Sequence, residues 1–301
     1  MDLKKYEVFV GVAETGNLTE TGRRLGYTQS GVSHIIAGLE AEMGLPLIVR
    51  GRRGVGLTEN GARIADAMRH LLADNERLEQ TISAIRGVTT GSLVIGTYAS
   101  ISINWLPEIL YRFRQDYPGI SIHMKEGGIE EIEGWIENSI ADFGFLSRRS
   151  SQSFDWIPLE EDPLLAILPK DTPCPPGGKF PIAGFEGQPF VMSAAGIDHD
   201  VHMALTNAGI HPAVRYSSAD DHAIVSMVAH RLGISMLPRL IVQDQLDHIT
   251  ALPVEPYASR RLGIGIRNLS RLSPAAKELI EYTKRILFKN QTPAEAGPGQ
   301  G

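Results

Sequence analysis

Residues 17–61 read NLTETGRRLGYTQSGVSHIIAGLEAEMGLPLIVRGRRGVGLTENG. Within this run, Thr28 is placed to cap a helix whose apolar positions Val32, Ile35, Ile36, Leu39 and Met43 recur at spacings of three and four. Gly44 supplies its stop. Upstream, Thr19 begins a shorter helix through Leu25 that Gly26 ends, and Gly22 lets a neighbour pack close. Gly26-Tyr27-Thr28 is the short connection that two helices crossing steeply require. Before them, Leu3, Tyr6, Phe9 or Val10, and Ala13 form the apolar stripe of a first helix. Three helices around one small core make a complete scaffold.

The back of the third helix carries different chemistry. Gln29, Ser30, Ser33, His34 and Ala37 are small or polar, so together with Thr28 they would let the helix approach base edges in a major groove. The segment LIVRGRRGVGLT alternates apolar and other residues about a Gly-Arg-Arg-Gly tip, which predicts a β-hairpin. Arg50, Arg52 and Arg53 on it would face phosphates, adding affinity and salt dependence but little sequence information. The alternative for any charge run is a solvated surface; its place directly behind a helix-turn-helix favours nucleic acid.

After Thr58, which can cap the next helix, Ile64, Met68, Leu71, Asn75, Leu78, Ile82 and Ile85 step alternately by three and four. Such a narrow stripe is a heptad seam; a helix lying on a globular core would show a wider one. Asn75 at a seam position fits a device that costs stability and selects register.

The order NLTETGRRLGYTQSGVSHIIAGLEAEMG, the arginine-tipped wing and the following LTENG resemble the winged helix-turn-helix of LysR-type transcriptional regulators. The likeness covers about the first 60 residues. Departures are Thr21 and Gly22, where the family commonly has two alanines, Ser30 in place of a frequent proline, and His34 where arginine is common. They bear on the operator and not on the fold. The resemblance implies that the seam helix pairs with its twin, setting two readers on a dyad-symmetric site, and that many relatives assemble into tetramers. It also implies a carboxy-terminal effector domain of two subdomains resembling a periplasmic binding protein.

Composition is compatible with that length. A chain of 301 residues suggests two or three domains, and 43% hydrophobic residues can bury real cores. Net charge is −6: residues 1–90 hold 11 Lys/Arg and 11 Asp/Glu, and the rest 18 against 24. An acidic protein still binds DNA through a local basic face. No apolar amino-terminal stretch resembles a signal peptide and no run approaches a membrane span, so a cytoplasmic protein without membrane partners is expected. The single cysteine, Cys174 in TPCPP, excludes an internal disulfide; with few basic neighbours it reads as incidental and not as a thiol sensor.

In the remaining two-thirds, SLVIGTYA, ISIHMKEG and ADFGFLS read as strands, with NWLPEILYRFRQDY and IEEIEGWIENS as helices between them. FVMSAA, AVRYSSA and GISMLP repeat the theme around DVHMALTNAG and DDHAIVSMVAHRLG. Such alternation predicts parallel βαβ units. The expected fold is therefore an α/β effector domain of two Rossmann-like subdomains behind an α-rich winged helix-turn-helix and a long linker helix. Expected boundaries are 1–58 for the winged domain, 59–88 for the linker and 89–290 for the effector domain. Within the last, subdomain I spans about 91–163 plus 264–288 and subdomain II about 164–263, with a disordered tail at 291–301.

In open α/β sheets a ligand sits beyond the carboxyl ends of the strands, where helix amino termini offer free N–H groups. That rule selects Tyr98, Ser100 and Ser102 after the first strand, Glu126, Gly127 and Gly128 after the second, and Ser147 and Arg148 after the third. From the second subdomain come Ser193, Ala194, His199, Asp220 and His222, beside Ala219 and Asp221. The serines could instead cap helices, and Arg148 with Arg149 could pair with surface acids. A bidentate arginine clamp would make the effector an organic anion. Asp198, His199 and His202 put metal-type donors within one turn, but an acidic first turn and surface histidines are common, so no metal is expected. His199 and His222 could alternatively make binding pH-sensitive.

No Walker-type loop, Cys-x-x-Cys pair or Gly-x-Ser-x-Gly elbow appears, and Glu130 and Glu131 near Glu126 read as a solvated helix face. The expectation is a non-enzymatic, cofactor-free regulator whose partners are double-stranded DNA, a small effector, its own copies and RNA polymerase. The alternatives are a repressor whose cleft is vestigial, and a solute-binding or enzymatic α/β domain with an appended anchor.

Overall fold

The computed structural model describes residues 2–51, 54–86, 90–194 and 199–289. It divides into two compact units, Met1–Gly91 with Asn138–Ile140, and Ser92–Glu137 with Ala141–Gly301.

In the first unit, helices α1 (Leu3–Thr15), α2 (Leu18–Leu25) and α3 (Gln29–Met43) precede strands β1 (Ile48–Gly51) and β2 (Gly54–Leu57) and the 27-residue α4 (Glu59–Ile85). Tyr6, Phe9, Val12, Val32, Ile36 and Leu39 are buried in one core, with Ile35 and Met43 packed against its edge. Helix α2 starts one residue earlier than Thr19 implied. Its cap is Asn17, whose side-chain oxygen accepts from Thr19 N and Glu20 N at 2.9 and 3.1 Å. A Cβ on Gly22 would lie 2.5 Å from the Tyr27 carbonyl oxygen, so the α2–α3 turn closes only over a residue without one. Glu40 of α3 takes the N–H groups of Leu47 (2.7 Å) and Ile48 (3.2 Å), launching β1. β1 and β2 pair antiparallel from Ile48↔Leu57 to Gly51↔Gly54. Arg52 and Arg53 lie outside the described residues.

The seam of α4 divides. Met68 is buried and Ile64 packed in the winged core, whereas Leu71, Leu78, Ile82 and Ile85 are exposed, Ile85 by 81%. Asn75 donates along its own helix to Glu79 at 3.2 Å.

The second unit begins β3 (Gly91–Thr97), α5 (Ala99–Asn104), α6 (Leu106–Asp116), β4 (Ile120–Glu126), α7 (Ile129–Glu137) and β5 (Phe143–Ser147). Then come β6 (Asp155–Pro169), β7 (Phe180–Pro181), β8 (Pro189–Ser193), α8 (His199–Asn207), β9 (Ala213–Ser218), α9 (Asp221–Ala229) and β10 (Ser235–Pro238). The chain closes with α10 (Arg239–Val242), β11 (Ile249–Glu255), β12 (Ser259–Ile266) and α11 (Pro274–Lys289). The main sheet runs β4-β3-β5-β12-β6-β11-β7, with β10 also on β6; β8 pairs with β9 apart from it.

Parallel pairing holds for β3 with β5 and β8 with β9. It fails at the centre, where β12 is antiparallel to both β5 and β6, and β10 and β11 are antiparallel to β6, so the sheet is mixed. The reason is the 15-residue β6. Asp155 to Pro163 pair with β12, and Leu164 to Pro169 with β10 and β11, so one strand serves two cores. Leu93, Phe113, Phe143, Phe145, Ile264 and Leu279 fill the first core. Phe185, Phe190 and Leu205, and next to them Val191, Ile224 and Val228, fill the second half. Each such side chain stabilises by about 1.5–3 kcal/mol on burial.

Candidate functional site

Two sites emerge, one in each unit. On α3, Thr28 Oγ1 accepts from Gly31 N at 3.1 Å, fixing the helix start, and Gln29, Ser30, His34 and Ala37 are exposed. Ser33 is half-buried, and its Oγ accepts from Arg50 Nη2 of β1 at 2.8 Å. The wing arginine is thereby tied to the helix surface and does not swing free of it. Arg23 and Arg24 of α2 both bond Glu20 and hold its carboxyl down at about 2. Their charge is already answered within the helix.

In the second unit polar side chains gather at the carboxyl ends of β3, β5 and β8. Tyr98 is buried; its hydroxyl lies 3.1 Å from Ser147 Oγ and accepts from Ser147 N at 3.3 Å. Burial first, and then the Asp200 charge, push the phenol up. Ser100 caps nothing: the cap position of α5 is Tyr98, and Ser100 Oγ accepts from Arg260 Nη2 at 3.0 Å. Ser102 Oγ, Ser193 Oγ, Arg148 Nη1 and Asp221 Oδ1 are shut away from solvent without a hydrogen-bond partner. The Arg148 guanidinium stands over the Trp156 ring at 5.4 Å, while Arg149 pairs with Glu133.

At the periphery, Glu126 is exposed, and Gly127 donates to Thr97 O at 3.2 Å with its Cα against Trp135 and Glu131. Gly128 N is taken by Glu131 Oε2 at 3.1 Å. Ala194 donates to Ser218 O at 2.8 Å, His199 is half-buried and His202 and His222 are exposed. Asp220 acts as the cap of α9, accepting from His222 N at 2.9 Å. Asp198, from the donor set weighed for metal, lies outside the described residues.

The centre of the cleft was not read from the sequence. Arg260 and Asp162, facing partners in the β12–β6 register, form a buried ion pair, with Nε to Oδ2 at 3.0 Å. Asp162 Oδ1 also accepts from Leu240 N at 3.1 Å. Arg260 lies over the Tyr98 ring at 5.5 Å. Burial raises the carboxyls of Asp200 in α8 and Asp221 in α9, opposed by the Arg260 charge and, for Asp200, first by a hydrogen bond from Ser147. Residues 98 apart in the chain meet here, and spacing carries no signal of that.

Residues 3–62 match the profile of the bacterial regulatory helix-turn-helix protein, lysR family, and residues 86–287 match the LysR substrate binding domain. The chain belongs to the LysR-type transcriptional regulators. It is a DNA-binding transcriptional regulator with an effector-binding domain. This regulator is 28% identical over 291 residues to an uncharacterized HTH-type transcriptional regulator, YvbU, of Bacillus subtilis, covering 95% of this chain and 99% of the other. It is 30% identical over 260 residues to a probable HTH-type transcriptional regulator, LrrA, of Synechococcus elongatus, covering 85% and 88%. Its fold matches that of a full-length OxyR variant from Pseudomonas aeruginosa with a TM-score of 0.78 at 19% identity, over 98% and 99% of the two chains. Among the described residues, no helix of this regulator is long and apolar enough to cross a membrane.

Proposed function

We propose that this regulator reads a dyad-symmetric operator with α3 of each of two copies and that an effector bound in the Tyr98–Arg260 cleft changes the geometry of the bound promoter. The reading rests above all on the exposed stripe of α3 with Arg50 tied to Ser33 beside it. Thr28, Gln29, Ser30, Ser33 and His34 contact the groove, and Arg50, Arg52 and Arg53 contact phosphates. Support for pairing through α4 comes from its exposed Leu71, Leu78, Ile82 and Ile85. Residues 1–58 read DNA, 59–88 join the copies, and 89–290 bind effector between halves at about 91–163 with 264–288 and about 164–263. Copies assemble as dimers and further as tetramers, in the cytoplasm, and meet RNA polymerase at the promoter. No residue is assigned a catalytic role.

The effector acts by shifting populations: it must bind one arrangement of the dimers better than the other, by about 1–3 kcal/mol. The DNA half is tested by titrating duplexes at several salt concentrations. Arg50→Ala weakens binding to all sequences and flattens the salt slope by about one, whereas substitution of His34 changes which sequence is preferred. If neither variant alters duplex binding, α3 and its wing are not the reader.

A further inference from the structure

Arg260 and Asp162 form a buried ion pair beside polar groups that make no such pair. The Arg260 Nε and Nη2 serve Asp162 and Ser100. Acids in a first helical turn commonly answer the helix dipole. For α9 that role falls to Asp220, which makes the capping bond, and Asp221 is left with an oxygen that neither solvent nor any protein donor reaches. A second group in the same condition stands nearby. Ser193 is only 8% exposed and its Oγ is unpartnered; it ends β8 in register with Ser218, at the strand ends from which α8 and α9 depart. One residue beyond Ser147, Arg148 keeps a buried Nη1 without an acceptor.

A buried polar group left unpaired is costly, more so when charged, so several of them at neighbouring strand ends point to a place completed by a ligand. The unpaired set contains both signs: an acceptor on Asp221, a donor on Arg148, and the hydroxyls of Ser102 and Ser193, which can do either. A simple organic anion would satisfy the donors and leave the Asp221 oxygen without a donor. We propose that the effector is an amino acid or a closely related zwitterion, its protonated amine received by Asp221 and its carboxylate by Arg148 with Ser193. A primary ammonium carries three donors and no acceptor, which suits an unpaired carboxylate oxygen. This inference rests on the effector reading of the cleft and narrows its ligand class.

The test uses the full-length protein with the twenty common L-amino acids, the same carbon skeletons lacking the amine, and simple alkylamines, read by thermal shift and calorimetric titration. At least one amino acid raises the melting temperature, and its amine-free counterpart binds about tenfold or more weakly. Asp221→Asn, which keeps the shape of the side chain, weakens that amino acid by about tenfold to a hundredfold, and Ser193→Ala weakens it less. Equal binding of the amine-free acids, binding by alkylamines alone, or an unchanged affinity in Asp221→Asn overturns the zwitterion while leaving an effector cleft in place. If no compound of any class binds while duplex binding persists, the effector reading itself fails.

Discussion

Arg260 and Asp162 hold β12 to β6 at the point where the chain passes between its two cores, and both are almost wholly buried. Removing one partner strands the other charge, so Arg260→Ala or Asp162→Ala costs about 3–5 kcal/mol, measured by denaturant unfolding. Asp200 and Asp221 act in the opposite sense. Burial raises their carboxyls in the folded state, so the native protein holds these protons more tightly than the unfolded chain. Their stabilising contribution is present below the ordinary carboxylate range and is lost as pH rises through the raised values. Asp200→Asn is therefore more stable than the parent at neutral pH, with the difference shrinking in acid, as melting temperature against pH would show; a variant less stable at neutral pH would contradict this. The sequence made Tyr98, Ser100, Ser147 and Arg148 visible because a strand followed by a helix points to its own carboxyl end. It hid Arg260 and Asp162, whose meeting depends on long-range register, and Asp200, whose neighbours in DHDVH invited a comparison with metal ligands.

At the scale of elements, legibility followed amphipathicity. Helices α1 to α3 have buried stripes at three and four, and they were readable down to the Gly44 stop. The start of α2 was misplaced because Asn17 and Thr19 are both capping residues and only the hydrogen bonds choose between them. β6, β11 and β12 went unread: β6 carries Pro158 and Pro163 inside a strand and meets β12 across a bulge at Leu262/Gly263, so no simple alternation remains. The junction of wing and linker is unusually close. A Cβ on Gly61 would run into the Leu47 carbonyl oxygen, so Gly61→Ala forces the backbone apart and destabilises by about 1–3 kcal/mol in the same unfolding experiment. Further along α4, Leu78 is 57% exposed, an apolar side chain suited to a second copy of the helix. Leu78→Asp raises the dimer dissociation constant by about tenfold or more, seen by analytical ultracentrifugation, without loss of helix content by circular dichroism. An unchanged constant would place the dimer contact elsewhere.

For the whole molecule, one chain carries a duplex-reading unit and a second unit whose polar cluster draws residues from the start of α5, β5, β6, β8, α9 and β12. The family likeness in the first 60 residues made that division legible, because the helix-turn-helix is local in sequence. The polar cluster of the second unit is not, because its residues come together from distant parts of the chain. Regulation requires that cleft and reader be thermodynamically linked, and linkage is reciprocal: a ligand that alters how the copies sit on DNA is itself bound differently when DNA is present. The decisive measurement is a footprint of the full-length protein on a duplex selected by it from a random pool, taken with and without an amino acid shown to bind the cleft. The protein is expected to protect a dyad-symmetric site in both states, with the length or the hypersensitive, bent positions of the protected region changed by ligand. A footprint identical in both states, at a ligand concentration that saturates the cleft, would contradict the account.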